Sequence, residues 1–274
     1  MHFQFFRVGF GAALVAALTM LPAATTSEPR LKVLILTGET DIPAHNWRLT
    51  TPFLRELLSN TGRFEVKALE EVRGLNKQIL SGYDAVVVNY NGPRWGPDAE
   101  EALEQFLKSG KGMVAIHNCS YGTFFGQSKI KGRYTDGGPV WSEYADMLGS
   151  TWKPANVGHA PRGTFTVKWV DREHPISLGL EPSFVANDEL YHKMDLRPNA
   201  HVLATAFDQT TGRDEPMVWT IPFGAGRVVH IPMGHDVLAM RQPGFVNTFA
   251  RSVEWVATAK VTLPPGLTVE APKP

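Results

Sequence analysis

The chain has 274 residues, which is enough for one large α/β domain or two smaller domains with a sizeable core. Its 27 basic residues balance 27 acidic residues, so no excess charge favours nucleic acid or an anionic membrane surface. Seven tryptophans and six tyrosines supply flat faces with a polar edge, which suit sugar rings as well as a protein core.

Residues 1–27 have the pattern of a secretory signal peptide. Arg7 precedes an apolar run from Val8 to Leu21, and small residues follow from Ala23. The run is shorter than the roughly 20 residues that span a bilayer, which favours cleavage over the alternative, an uncleaved anchor. We therefore expect a secreted or periplasmic protein that is free of the membrane after cleavage. Cys119 is the only cysteine, so no intramolecular disulfide can form.

Residues 28–260 are predicted to form one α/β domain, and strands alternate with helices in its first half. Strands are predicted at 31–36, 64–69, 84–89 and 112–116, and helices at 47–60, 75–80 and from Pro97 to just before Gly110. This order predicts a mostly parallel central sheet with right-handed crossovers. The strands are apolar throughout, which indicates burial on both faces.

The second half is less regular. A surface excursion at 122–140 is followed by predicted elements: a helix at 141–148, strands at 164–170 and 201–207, a hairpin from 217–219 and 227–232 around 223–226, and a closing helix at 243–257. The proline-rich tail, 261–274, is expected to lie loosely on the surface.

Ionisable side chains occur where predicted strands end. His117 ends an apolar strand, and ligands bind at the carboxyl ends of strands in doubly wound sheets. His45 lies just before a helix, His235 follows another strand, and Glu189 lies in a segment rich in ionisable groups. Structural roles are the alternatives: a buried histidine bonded to backbone for His117, a helix cap for His45 or Asn46, and a solvated loop edge for Glu189.

These residue types can carry two kinds of chemistry. Glu189 and Tyr191 share one face of an extended segment and could form an acid–base pair, or Glu189 could bind a metal. Histidines and a carboxylate that meet at a sheet edge suit a divalent metal such as zinc. The candidate metal ligands are His45, His117, His159, Glu189 and His235. The sequence has no Walker loop, HExxH, paired CxxC or G-x-S-x-G nucleophile elbow.

Short motifs in a defined order resemble the ThuA-like family, which is named for trehalose utilisation, over roughly residues 31 to 257. They are His45-Asn46-Trp47-Arg48, Asn89-Tyr90-Asn91-Gly92-Pro93-Arg94-Trp95, Ile116-His117-Asn118, Glu143-Tyr144, Gly158-His159, His174-Pro175-Ile176, Asp188-Glu189-Leu190-Tyr191, Pro216-Met217-Val218-Trp219 and Gly234-His235-Asp236.

The resemblance implies a flavodoxin-like three-layer sandwich with a mostly parallel central sheet, similar to class I glutamine amidotransferases. In those enzymes a cysteine nucleophile ends a central strand. This chain has His117 at the corresponding position, which disfavours an acyl-enzyme there. The family is associated with sugar catabolism, and the resemblance implies 3-keto glycosides made by a partner sugar oxidoreductase as substrates.

The resulting hypothesis is an exported sugar-catabolism protein that acts on 3-keto glycosides or related sugars by acid–base, metal-assisted isomerisation, elimination or hydration. Glu189 or His117 is the expected base, and His235 and His45 are expected to act as electrophilic or proton-donating groups. The residues expected to contact substrate are Trp47, Arg48, Asn91, Trp95, Asn118, Tyr191 and Asp236.

Two alternatives from other classes stay open. One is a non-catalytic carbohydrate-binding or sensing protein, and the other is an amidase or hydrolase that uses Cys119. In each case the expected partner is a small molecule rather than nucleic acid, and the sequence leaves a homo-oligomer open.

Overall fold

The computed structural model describes Met1 and residues 29–269, except 41, 121, 131–132, 136 and 153–156. The rest of the predicted signal peptide and residues 270–274 of the predicted tail lie outside this range. Within it, no helix has both the length and the hydropathy that crossing a bilayer requires.

Fifteen strands and six helices occur in the part of the chain that the structure describes. The strands are β1 (Leu31–Leu36), β2 (Phe64–Leu69), β3 (Ala85–Val88), β4 (Gly112–Ile116), β5 (Ser128–Ile130), β6 (Arg133–Thr135), β7 (Ser150–Thr151), β8 (Gly158–His159), β9 (Gly163–Trp169), β10 (Ser183–Asp188), β11 (Tyr191–His192), β12 (Asp195–Leu196), β13 (His201–Asp208), β14 (Arg213–Phe223) and β15 (Gly226–Ile231). The helices are α1 (Trp47–Asn60), α2 (Lys77–Leu80), α3 (Pro97–Lys108), α4 (Ser142–Leu148), α5 (Val237–Met240) and α6 (Pro243–Thr258).

Nine strands form the central sheet, in the order β10-β9-β13-β14-β15-β4-β3-β1-β2. The five strands from β15 to β2 pair in parallel, which is the arrangement of a flavodoxin-like sheet. The other four strands extend the sheet by antiparallel pairing. Four antiparallel steps separate β10 from β15, so β10 points the same way as β15 and its carboxyl end lies on the same side.

Helices cover both faces of the sheet because its central strands are apolar on both sides. In β4, Val114 and Ile116 face the core under α1 and α6, whereas Met113 and Ala115 face the core under α3 and α4. The contact with α6 is close: a Cβ at Gly112 would lie 2.4 Å from the Val256 carbonyl oxygen. The predicted three-layer α/β architecture is confirmed, with a sheet that is parallel in one half only.

Most predicted elements agree with the observed ones to within a few residues. The hairpin around 223–226 is present as the β14–β15 connection, and α1 and β4 have the predicted bounds. One strand of the nine-stranded central sheet, β10, is not predicted from the sequence. Its sequence ends in Asn187 and Asp188, which are residue types depleted in strands, and it forms an edge where only one neighbour pairs with it.

The expectation of a loose tail is wrong for residues 261–269. The buried carboxylate of Glu254 accepts hydrogen bonds from the backbone N–H groups of Thr262 (2.8 Å) and Leu263 (2.9 Å). Arg251 donates to the Leu263 carbonyl at 2.6 Å, and Asn247 bonds the backbone of Leu267. These contacts attach the segment to α6 because buried polar groups on that helix use it as their partner.

Candidate active site

Three histidines and one glutamate converge at the carboxyl edge of the sheet. His117 follows β4, His235 lies just after β15, Glu189 follows β10 and His45 lies between β1 and α1. One potential ligand atom from each residue lies within 4.8 Å of the corresponding atoms of the others. The structure therefore brings together all four residues that the sequence analysis predicts as catalytic, and we call them the His–Glu cluster.

His117 sits on a strained turn that directs its ring into the cluster. Its φ of 32° lies in the left-handed region, which is uncommon for a residue with a side chain. Nδ1 lies 3.0 Å from the Pro232 carbonyl oxygen, and because a carbonyl can only accept, Nδ1 carries the proton. Nε2, the other ring nitrogen, faces the cluster, 3.2 Å from His235 Nδ1 and 3.0 Å from the Tyr191 hydroxyl.

Glu189 lies between the imidazole rings of His235 and His117. Glu189 Oε2 lies 3.2 Å from His235 Nδ1 and 3.6 Å from His117 Nε2. Burial raises the pKa of Glu189, but hydrogen bonds with His117 and His235 outweigh it and hold that pKa well below its usual range. The same carboxylate raises the pKa of His235. The carboxylate is thus ionised at neutral pH.

His45 is a buried, neutral imidazole. Its ring centroid lies 5.0 Å from that of His117 and 4.9 Å from that of His235. Burial, together with the neighbouring histidines, lowers its pKa to about 2. The helix cap is Asn46, whose Oδ1 accepts from the Arg48 N–H, so His45 is not needed for that role. Among the residues described, its Nδ1 is one of the few buried polar atoms without a hydrogen-bond partner.

A buried carboxylate that the sequence analysis did not select connects two cluster segments. Asp188 is 2 % exposed, and its oxygens accept from the backbone N–H groups of Glu189 (2.8 Å), Gly234 (2.6 Å) and His235 (3.2 Å). Gly234 has a φ of 106°, and a Cβ there would lie 2.8 Å from the Phe245 ring. The available sequence signal was an acidic residue directly beside Glu189 at a strand end.

The donor set of the His–Glu cluster fits a divalent transition metal. Neutral imidazole nitrogens and a carboxylate oxygen are the ligands that zinc and related ions prefer. The unpartnered Nδ1 of His45 and the Nε2 of His117, which faces the other three residues, are consistent with such a ligand role. His159, the fifth predicted ligand, is not part of this group: its Nδ1 lies 3.8 Å from the other Glu189 oxygen, Oε1, and its side chain is 45 % exposed.

The predicted substrate contacts are placed in three kinds of surroundings. Tyr191 joins the cluster, and Asp236 lies beside it, paired with Arg162 and capping α5. Trp47 is stacked under Arg48, with 4.4 Å between the guanidinium carbon and the ring centroid, at a groove that also contains Arg55.

The remaining predicted contacts are less accessible. Trp95 is 2 % exposed and packs among Tyr90, Phe124 and Trp141, and Asn91 is 3 % exposed. The side chain of Asn118 lies outside the described part of the chain.

Cys119 is fully buried in the core rather than in the cluster. Burial raises the pKa of its thiol well above the usual range. A nucleophilic cysteine must be accessible and largely ionised, so this environment argues against an amidase or hydrolase that uses Cys119.

Fold and site together define a flavodoxin-like α/β protein with an imidazole–carboxylate cluster at the carboxyl edge of its sheet. The chain belongs to the ThuA family, described as trehalose utilisation, whose profile matches residues 32–256. Family membership indicates a role in sugar metabolism. No curated protein matches the chain.

Solved structures of similar proteins agree with this membership. A ThuA-like protein from Parabacteroides merdae is 26 % identical, with a TM-score of 0.67 over 85 % of this chain and 92 % of that chain. Another, from Bacteroides uniformis, is 20 % identical, with a TM-score of 0.65 over 90 % and 99 %. A cytoplasmic protein from Salmonella typhimurium is 16 % identical, with a TM-score of 0.55 over 82 % and 98 %, and shares the fold.

Proposed function

We propose that the protein is an exported enzyme of sugar catabolism that acts on 3-keto glycosides or related keto-sugars. The proposed chemistry is isomerisation, elimination or hydration by acid–base catalysis, assisted by a divalent metal such as zinc. The observation that carries the proposal is the convergence of His45, His117, Glu189 and His235 from four distant segments. Membership of a family described as trehalose utilisation supports the sugar substrate.

The cluster has the groups that enolisation of a keto-sugar needs. A carbonyl acidifies the C–H groups next to it, so the reaction requires a base and stabilisation of the developing enediolate oxygen. A divalent cation held by the cluster would supply that stabilisation as a Lewis acid. His45, His117, Glu189 and His235 would hold it, which is consistent with their potential ligand atoms lying within 4.8 Å of one another.

Proton transfer is assigned to residues around Glu189. Its Oε2 faces the imidazoles, whereas Oε1 faces His159 at 3.8 Å. Glu189 is the proposed base. Tyr191, whose hydroxyl lies 3.0 Å from His117 Nε2, is the proposed donor to a sugar oxygen at the same site.

A first prediction tests the cluster. His117→Ala should lose bound metal and reduce turnover of 3-keto glucosides by roughly 100-fold or more, because it removes a ligand or a base. The purified mature protein is supplied with zinc, manganese or iron. Mass spectrometry then measures its metal content, and product analysis measures turnover. His201→Ala is the control, because that side chain is 55 % exposed and pairs with Asp171 away from the cluster.

Two outcomes would contradict the proposal. If the wild-type protein neither binds nor turns over keto-sugars with any of these metals, the proposed function is wrong. If it binds sugar tightly, leaves it unchanged and keeps its affinity in Glu189→Gln, it is a carbohydrate-binding or sensing protein instead. Cys119→Ser is expected to leave turnover unchanged.

The proposed setting is outside the cytoplasm, together with an oxidoreductase that makes the 3-keto substrate. Its support is the signal-peptide pattern of residues 1–27. Amino-terminal sequencing of protein recovered from the periplasm or the medium tests it, and a chain that still begins at Met1 in the cytoplasm would contradict it.

A further inference from the structure

A cavity of about 200 Å³ lies between the beginning of α1 and α5. Its apolar lining is contributed by Ala44, Leu49, Val237 and Leu238. Asn46 and Asp236 supply polar groups beside them. We call this space the leucine cavity.

Residues that line the leucine cavity are sequence neighbours of two residues of the His–Glu cluster. Ala44 and Asn46 are the direct neighbours of His45, and Asp236 directly follows His235. Two of the four cluster residues therefore lie on the same backbone segments that line the cavity. Because consecutive Cα atoms lie about 3.8 Å apart, the backbone of the cavity lining begins one residue from His45 and one residue from His235.

Two leucines of the cavity are unusually exposed for their type. Leu49 is 61 % exposed and Leu238 is 69 % exposed. A single exposed leucine needs no explanation, because much of any protein surface is apolar. Two that line one cavity beside a polar site are different, since ligand sites combine an apolar wall with a few convergent polar groups.

We propose that the leucine cavity is the aglycone subsite and that the substrate is a glycoside with an apolar, aryl or alkyl aglycone. This inference rests on the proposed function, since it places the sugar at the His–Glu cluster. The size agrees: an apolar cavity of roughly 150 Å³ is enough to bind benzene. A stable protein partner contacts roughly 20–30 residues on each side, far more than line this cavity.

The test compares ligands that differ only in the aglycone. Methyl and phenyl 3-keto-glucosides, each as both anomers, are titrated calorimetrically into the zinc-loaded mature protein. The phenyl glycoside of the preferred anomer should bind on the order of tenfold more tightly, because its ring buries apolar surface against the leucines. Leu49→Ser and Leu238→Ser should each weaken phenyl glycoside binding several-fold and leave methyl glycoside binding unchanged.

Leu178→Ser is the matched control. Leu178 is 57 % exposed, and it precedes β10 at the end of that strand opposite Asp188, away from the cluster. All three leucines are largely exposed, so their serine variants should keep the fold, which circular dichroism verifies.

Equal affinity for the methyl and phenyl glycosides, or serine variants that bind both as the wild type does, would overturn the aglycone subsite while leaving the proposed function intact. Failure of the wild type to bind either glycoside would overturn the proposed function and this inference together. Phenyl affinity lowered equally by Leu178→Ser would also contradict the assignment, because the effect would then not come from the cavity.

Discussion

At the scale of single residues, the cluster depends on how its side chains are held as much as on which residues they are. The Pro232 carbonyl orients the ring of His117. The carboxylate of Asp188, which lies outside the cluster, bonds the backbone of two segments that carry cluster residues. Asp188 bonds the backbone of both Glu189 and His235, so it sets the distance between these two residues. Groups that orient metal ligands in this way commonly affect metal affinity, although they do not touch the metal.

We predict that Asp188→Asn weakens zinc binding roughly 10- to 100-fold. An amide nitrogen cannot accept a hydrogen bond, so at least one of the three backbone N–H groups would lose its partner. Titration with zinc and the visible spectrum of the cobalt-substituted protein measure the effect.

Asp208→Asn is the control for the Asp188 variant. Asp208 is equally buried, at 2 % exposure, and accepts from His192 at 2.6 Å, so its loss should reduce stability without changing the cobalt spectrum. A spectrum and zinc affinity that are unchanged in Asp188→Asn would contradict the positioning role.

At the scale of secondary-structure elements, α6 shows how buried polar side chains recruit a segment without regular structure. The helix is predicted by its apolar periodicity, but it also buries Asn247, Arg251 and Glu254. Each of these needs hydrogen-bond partners inside the protein, because an unsatisfied buried polar group costs about 1–3 kcal/mol. The segment from Val261 to Val269 supplies many of those partners and covers the helix with Leu263 and Leu267.

We predict that ending the chain after Lys260 lowers the free energy of unfolding by on the order of 3 kcal/mol or more. The truncation removes the backbone groups that Glu254 and Arg251 bond, together with buried Leu263. Urea unfolding measures the change. A chain that ends after Val269 keeps these contacts and serves as the control, and equal stability of the two truncated chains would refute the prediction.

At the scale of the whole molecule, stability should depend on pH through groups whose pKa values change on folding. His230 lies in β15 against Trp219, fully buried, and neither ring nitrogen has a hydrogen-bond partner of normal geometry in the described structure. Burial lowers its pKa from 6.5 to about 3, although the Leu148 carbonyl partly opposes the change. Several carboxylates, including Glu254, also have lowered pKa values and act at lower pH.

The sign of the His230 effect follows from proton linkage. Between pH 6.5 and about 3, the unfolded chain binds a proton at His230 that the folded protein does not. The contribution of neutral His230 to the free energy of unfolding is therefore fully present above pH 6.5 and is lost as the pH decreases. The loss is about 1.4 kcal/mol for each pH unit. We predict that His230→Leu removes roughly 2 kcal/mol of the stability difference between pH 6.5 and pH 5.

Urea unfolding of His230→Leu at the two pH values measures this difference. Met217→Leu serves as the control, because it is a volume-conserving substitution of a buried side chain that does not titrate, and it should retain the pH dependence of the wild type. If the free energy of unfolding of His230→Leu depends on pH as steeply as that of the wild type, groups other than His230 cause the pH dependence.

What the sequence determined by itself is local. The spacing of Phe53, Leu54, Leu57 and Leu58 and the unbroken apolar run of β4 define a helix and a buried strand, because periodicity reports which faces are covered. The order of strands and helices then predicts the parallel half of the sheet. Residue type and local position were also enough to select four site candidates: His117 and His235 at strand ends, His45 before a helix and Glu189 in a segment rich in ionisable groups.

Only the tertiary structure decided which of these side chains meet and what supports them. Glu189 reaches the cluster because four antiparallel pairings turn the edge strand β10 parallel to β15, and no local pattern specifies that register. Packing between segments far apart in the chain likewise leaves His159 outside the cluster and buries Trp95 among other aromatic rings. Local side-chain patterns define elements, whereas contacts between residues far apart in the chain depend on how the elements pair and pack.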